Sequence, residues 1–147
     1  MHAEQMAEEI PMVDLDLGAL DAAQLLATQR LPALVVTNAD GTPHSILPAS
    51  QVVRFLVPSY VQDDPSLARV MNESMADRAG EKLGNKRVRD LLPREPQELP
   101  VVNHDDTIIE VAAIMARLRS PLVAVMREKQ LLGVITASRL LQLALHH

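Results

Sequence analysis

Slid against itself, the 147-residue sequence matches at an offset of 89, and this duplication constrains the chain more than any other feature. VDLDLGALDAAQLLATQRLPALVV (13–36) runs beside VNHDDTIIEVAAIMARLRSPLVAV (102–125), with Ala23 opposite Ala112, Leu26 opposite Met115 and Pro32 opposite Pro121. A one-residue shortening in the next turn makes the offset 88 and sets SILPASQVVRFL (45–56) beside GVITASRLLQLA (133–144). Two copies are too few for a solenoid, so the duplication predicts two similar units packed about a pseudo-twofold axis.

Each copy carries the same order of signals. Leu17, Leu20, Ala23 and Leu26, with Ile109, Ala112, Met115 and Ala116 in the second copy, recur at helical spacing. Thr107-Ile-Ile-Glu110 is a capping box for the second of these helices. Proline ends each helix, and the apolar runs 33–36 and 122–125 follow as buried strands. The turn sequences 38–43 and 127–130 fold a further strand back, 44–47 or 133–136, and a helix closes each copy at Ala49 to Val57 or Ala137 to Leu145. With a first short strand near Val13 or Val102, the prediction is an α/β (α+β) chain of two β-α-β-β-α repeats.

The expected division is 1–57 for the first repeat with its N-terminal segment, 58–87 for a polar connector containing a helix, and 88–147 for the second repeat. In the connector, Leu67, Val70, Met71 and Met75 predict a helix over 66–78, after Pro65 and the capping loop Asp63-Asp64. The glycine-broken stretch 79–87 reads as a loop. Val88, Leu91 and Leu92 are expected to tuck onto the second repeat.

Composition excludes several function classes. A formal charge of -5 and a pI near 5.5 leave no basic face for nucleic acid or an anionic membrane. The start of the chain, MHAEQMAEEI, is acidic and lacks a signal-peptide layout, and a cytoplasmic location is expected. With no cysteine, thiol catalysis, disulfides and zinc–thiolate sites are all out, and no phosphate loop, serine elbow or paired histidines on one helical face is present. The chain is therefore expected to be non-enzymatic and to need no cofactor. His104, Asp105 and Asp106 sit together and suggest metal ligands, but Asp105 and Asp106 read more simply as acids at a helix start, where the dipole favours them. Only Phe55 and Tyr60 are aromatic, so a heterocycle would have to lie between aliphatic side chains and backbone.

The twice-repeated unit ending in Gly133-Val134-Ile135-Thr136-Ala137-Ser138 resembles the cystathionine β-synthase (CBS) domain, and the two copies, over roughly 11–57 and 88–145, resemble a tandem CBS pair or Bateman module. That resemblance implies a regulatory module that often dimerises and binds adenosine-containing ligands such as AMP, ADP, ATP or S-adenosylmethionine between paired copies. In the second copy it implies contacts from Val102 and Asn103 on the first strand, from Ser120, Pro121 and Leu122 at the helix-to-strand turn, and from Thr136, Ser138 and Arg139 at the corner. In the first copy it implies Pro32, Ala33 and Gln51. The strand-to-helix corner suits phosphate, because unpaired N–H groups and the positive end of the helix dipole face outward there. The family's ribose-accepting aspartate, three residues after the threonine, is replaced by Arg139, which has donors only, and by Gln51 in the first copy, whose corner residue is Pro48. Arg139 reads either as a bidentate phosphate clamp or, the commoner case, as a solvated helix-face arginine, and Thr136 as a phosphate contact or simply the cap of the last helix, two roles that can coexist. The alternative reading is a degenerate pair acting as a ligand-free dimerisation scaffold. Homodimerisation and an unidentified partner protein are expected on either reading, since apolar stripes on the closing helices need covering.

Overall fold

The computed structural model describes residues 1–57, 59–66, 74–96 and 98–146; at 59–60, 74–77 and 79 it describes the backbone alone. The first repeat runs β1 (Met12–Asp14), α2 (Ala19–Gln29), β2 (Ala33–Thr37), β3 (Pro43–Pro48) and α3 (Ala49–Leu56), after a short α1 (Ala3–Met6). The second repeat runs β4 (Val101–Asn103), α7 (Ile108–Leu118), β5 (Leu122–Arg127), β6 (Gln130–Thr136) and α8 (Ala137–Leu145). Between them lie α4 (Ser59–Asp63), α5 (Ser74–Gly84) and α6 (Val88–Leu91). Each repeat forms one three-stranded sheet, β1-β2-β3 or β4-β5-β6, in which the first pair is parallel and the second antiparallel.

The duplication extends to backbone detail. Arg30 and Arg119, 89 positions apart, both end their helices in the left-handed conformation, with φ of 52° and 51°. Both β2 and β5 carry an irregularity at the aligned positions Val36/Thr37 and Val125/Met126. Thr107 caps α7 as its spacing predicts: its Oγ1 accepts from Glu110 N at 3.3 Å, and Glu110 Oε1 accepts from Thr107 N at 3.3 Å.

Strand alternation splits each repeat's apolar residues between two cores. Leu34, Val36 and Leu47 face α2 and α3, and Val123, Val125 and Ile135 face α7 and α8. The opposite faces meet each other: Ala33, Val35 and Ile46 pack with Leu122, Ala124 and Val134, sealed by Leu99. The sheets are buried on both faces, which is why β2 and β5 read as unbroken apolar runs.

The segments preceding the repeats cross over. Ala3 and Met6 of α1, both 0 % exposed, belong to the second repeat's helix-side core, and Val88 and Leu91 of α6 belong to the first's. The crossing is symmetric in its hydrogen bonds. Ala3 N donates to Asp106 O at 2.8 Å and Glu4 N to His104 O at 2.9 Å; Val88 N donates to Leu17 O at 2.9 Å and Arg89 N to Leu15 O at 3.0 Å. The expectation that Val88, Leu91 and Leu92 cover the second repeat is thus corrected. The short strand after each segment belongs to its own repeat, and the few residues before it reach across the seam to the other.

The connector differs from its expected form. Residues 79–84, expected as loop, complete α5, because Leu83 (3 % exposed) enters the first repeat's core and Lys82 stands 5.4 Å from the Phe55 ring. This packing outweighs the roughly 1 kcal/mol that Gly80 costs a helix. Leu67, Val70, Met71 and the side chain of Met75 lie outside the described residues. Asp63 ends α4, while Asp64 Oδ1 accepts from Ser66 N and Oγ at 3.2 and 2.6 Å, capping the turn at Pro65-Ser66.

Charges fasten both crossings. Asp16 accepts hydrogen bonds from Arg89 and from Arg87 (3.4 Å), and Glu4 pairs with Arg127, with His104 Nδ1 3.5 Å from the same carboxylate. The hydrogen bond from Arg89 holds the Asp16 carboxyl below the usual aspartate range. A depressed carboxyl stabilises the fold above its ordinary pKa, and that contribution fades as pH falls through the folded-state value. Asp16→Asn should therefore lower the urea midpoint at neutral pH and converge with the parent protein in acid, below the ordinary aspartate range; a pH-independent gap would contradict this fastening. For the crossing itself, Met6→Ala and Leu91→Ala should each cost about 2–5 kcal/mol of unfolding free energy in urea titrations, although both lie outside the duplicated segments. A loss under ~1 kcal/mol at Met6 would show α1 undocked.

Candidate functional site

The second repeat brings its helix-to-strand turn and its strand-to-helix corner together. Leu122, the first residue of β5, is in register with Thr136, the last of β6, and Ala137 N donates to Pro121 O at 2.9 Å. Ser120, Pro121, Leu122, Thr136, Ser138 and Arg139 therefore form one continuous patch. By strand parity Thr136 lies on the same face of β6 as Val134, the face turned to the other sheet. A recess of about 220 Å³ adjoins the patch, lined by Glu98, Pro100, Leu118 and Ser120.

Local bonds set the polar groups of the patch. Thr136 Oγ1 caps α8, accepting from Arg139 N at 3.1 Å, and lies 3.2 Å from Ser138 Oγ. Capping and ligand contact are compatible, because a hydroxyl oxygen has a second lone pair and a proton to donate. Ser120, 6 % exposed, donates to Leu122 O at 2.6 Å and so stiffens the turn. Arg139 Nε lies 3.6 Å from Glu8 Oε1 and is buried without a hydrogen-bond partner, while Nη1 reaches Gln142 Oε1 at 3.4 Å.

Val102 and Asn103 stand apart from this patch. They pair with Val125 and Met126, at the far end of β5 from Leu122. Val102, 1 % exposed, points into the helix-side core, and Asn103 N donates to Asp106 Oδ2 at 2.9 Å in the turn before α7. Pro100, one residue before β4, takes the near position, its carbonyl accepting from Ala124 N at 2.8 Å. Glu98, Pro100 and Leu118 were not anticipated as site residues, since no motif marks them in the sequence.

The first repeat repeats the backbone and not the chemistry. Ala49 N donates to Pro32 O at 3.0 Å and Ala33 is in register with Pro48, so Pro32, Ala33 and Gln51 come together as well. Pro48 leaves α3 without a side-chain cap, however, and Gln51 Nε2 donates to Leu91 O at 3.0 Å, tying down the end of α6. His104, Asp105 and Asp106 form no metal-ligand cluster, and none exists among the described residues. No helix among the described residues is long and apolar enough to cross a membrane.

Comparison with known proteins agrees with this geometry. The family model described as the CBS domain matches residues 88–146. No curated protein matches the sequence. Among solved structures, a CBS domain-containing protein of unknown function from Kribbella flavida is 66% identical over 99% of both chains, with a TM-score of 0.91. The CBS domain of a CBS domain-containing membrane protein from Sphaerobacter thermophilus has a TM-score of 0.72 at 17% identity, covering 97% of this chain and 87% of that one. CBSX2 in complex with AMP has a TM-score of 0.68 at 15% identity over 98% and 96% of the two chains. A duplicated β-α-β-β-α unit, sheets packed face to face and a 66%-identical relative spanning the whole chain place this protein in the CBS-domain family, as a tandem pair of repeats.

Proposed function

We propose that the chain is a non-enzymatic regulatory module of the cytoplasm that binds an adenosine-type nucleotide (AMP, ADP, ATP or S-adenosylmethionine) at the crevice between its repeats and signals occupancy to a partner protein. The observation that carries this reading is the second-repeat patch, where the capped start of α8, Thr136 and Arg139 adjoin the Ser120 turn and its recess. With Ala137 N bonded to Pro121 O and Arg139 N to Thr136 Oγ1, it is the Thr136 hydroxyl and the Arg139 guanidinium that suit a phosphate, and the apolar turn suits a purine face. The AMP bound by CBSX2 supports the ligand class at the level of the shared fold. Signalling requires only that the ligand bind one arrangement of the repeats better than another; a difference of ~1–3 kcal/mol makes a useful switch.

A scaffold reading has specific support as well. Gln51 is spent on Leu91, Ser120 on its own turn and Arg139 on Glu8, so much of the polar equipment is already engaged. Ile109, Leu141 and Leu145 are exposed on α7 and α8, and on either reading we assign this face to a homodimer.

Thermal melting and calorimetric titration with AMP, ATP, S-adenosylmethionine and adenosine separate the two. A ligand at 100 times its dissociation constant stabilises by about 2.7 kcal/mol, which for a domain of this size raises Tm by roughly 5–10 °C. At least one ligand at millimolar concentration should do so, and Arg139→Ala should weaken ATP ~10-fold or more while sparing adenosine. No shift with any ligand would leave the scaffold reading standing. Equal weakening of ATP and adenosine would remove Arg139 as a phosphate group's partner.

A further inference from the structure

Residues 7–10 join α1, docked in the second repeat, to β1, the first strand of the first repeat. On the way Glu8 pairs with the outer edge of β6: Glu8 N donates to Val134 O at 2.8 Å, and Val134 N donates to Glu8 O at 2.9 Å. Gly133 permits the approach, since a Cβ there would lie 2.7 Å from Glu8 O. Ile10 then packs against the seam between the two sheets. The segment thus touches both repeats and meets β6 two residues before Thr136.

Its side chain meets the corner too. Glu8 Oε1 is 3.6 Å from Arg139 Nε, close enough for an ion pair and too long for a hydrogen bond. Both side chains are partly exposed, 52 % for Glu8 and 32 % for Arg139, so the attraction is weak enough for a competing anion to replace. In sequence the pair is particular to one repeat: the positions aligned with Glu8 and Arg139 are Gln97 and Gln51, two neutral amides.

We propose that residues 7–10 are a strap that reads occupancy of the second-repeat corner. An anionic ligand group that takes Arg139 displaces the Glu8 carboxylate and loosens the strap from β6, and because the strap continues into β1, the release reaches the first repeat. This rests on the reading that an anion binds at Arg139.

The test titrates AMP and adenosine into the full chain and its Glu8→Gln variant, and follows amide hydrogen exchange at Glu8 and Val134. Removing the competing charge should tighten AMP by about two- to fivefold and leave adenosine unchanged. The gain should vanish when Arg139→Ala is also present. In the parent protein, saturating AMP should speed exchange at both amides. Equal AMP affinity in parent and variant, an equal gain for adenosine, or unchanged protection at saturation would overturn the strap while leaving nucleotide binding intact. Absence of binding by AMP, ADP, ATP and S-adenosylmethionine alike in both proteins would overturn strap and nucleotide reading together.

Discussion

The contact on which the rest of the molecule depends is the apolar seam between the two sheets, where Ala33, Val35 and Ile46 meet Leu122, Ala124 and Val134. A three-stranded sheet with helices on one face leaves the other face apolar, and a repeat of about 50 residues buries too little surface to stand alone. Facing the two sheets solves both problems at once. It also sets the geometry of the corner, because residues two apart on a strand share a face: Val134 in the seam puts Thr136 on that same face at the end of β6. The crossing of α1 and α6 reinforces the seam by giving each repeat a helix from outside itself.

Pseudo-symmetric backbones carry unlike corners in the two repeats. In the second repeat, threonine caps α8 and arginine follows it; in the first, proline leaves α3 uncapped and glutamine holds the end of α6. The helical faces diverge in parallel. Helix α5 packs on α2 and sends Leu83 into the first repeat's core, while Ile109 and Leu145 of the second repeat remain exposed; at the aligned positions Val53 and Leu141 both repeats are exposed alike.

Much of the fold was legible because periodicity and duplication are local signals. The offset of 89 aligned Arg30 with Arg119, and the structure gives both the same left-handed turn. Thr107 and Glu110 announced their cap through spacing alone. What sequence missed depended on direction in space. Nothing local in VRDLL says which repeat its apolar residues will cover, and Ala3 to Met6 has too few residues for a periodicity to show. The second half of α5, 79–84, escaped because Gly80 and Gly84 lower helix propensity, whereas the burial of Leu83 is a tertiary fact. At the site, the motif located the Thr136 corner, but strand register carried Val102 away from it and brought Pro100 in. Glu8, 131 residues from Arg139 in sequence, had no signal to join it to that corner.

The account's central claim is that two repeats share one seam and fold as one body. Urea unfolding followed residue by residue through amide NMR cross-peaks tests it most directly, with Val36 reporting the first repeat's core, Val125 the second's and Ala124 the seam. The account predicts one midpoint for all three. Separate midpoints for Val36 and Val125, with Ala124 following only one of them, would show two independently stable halves and contradict it.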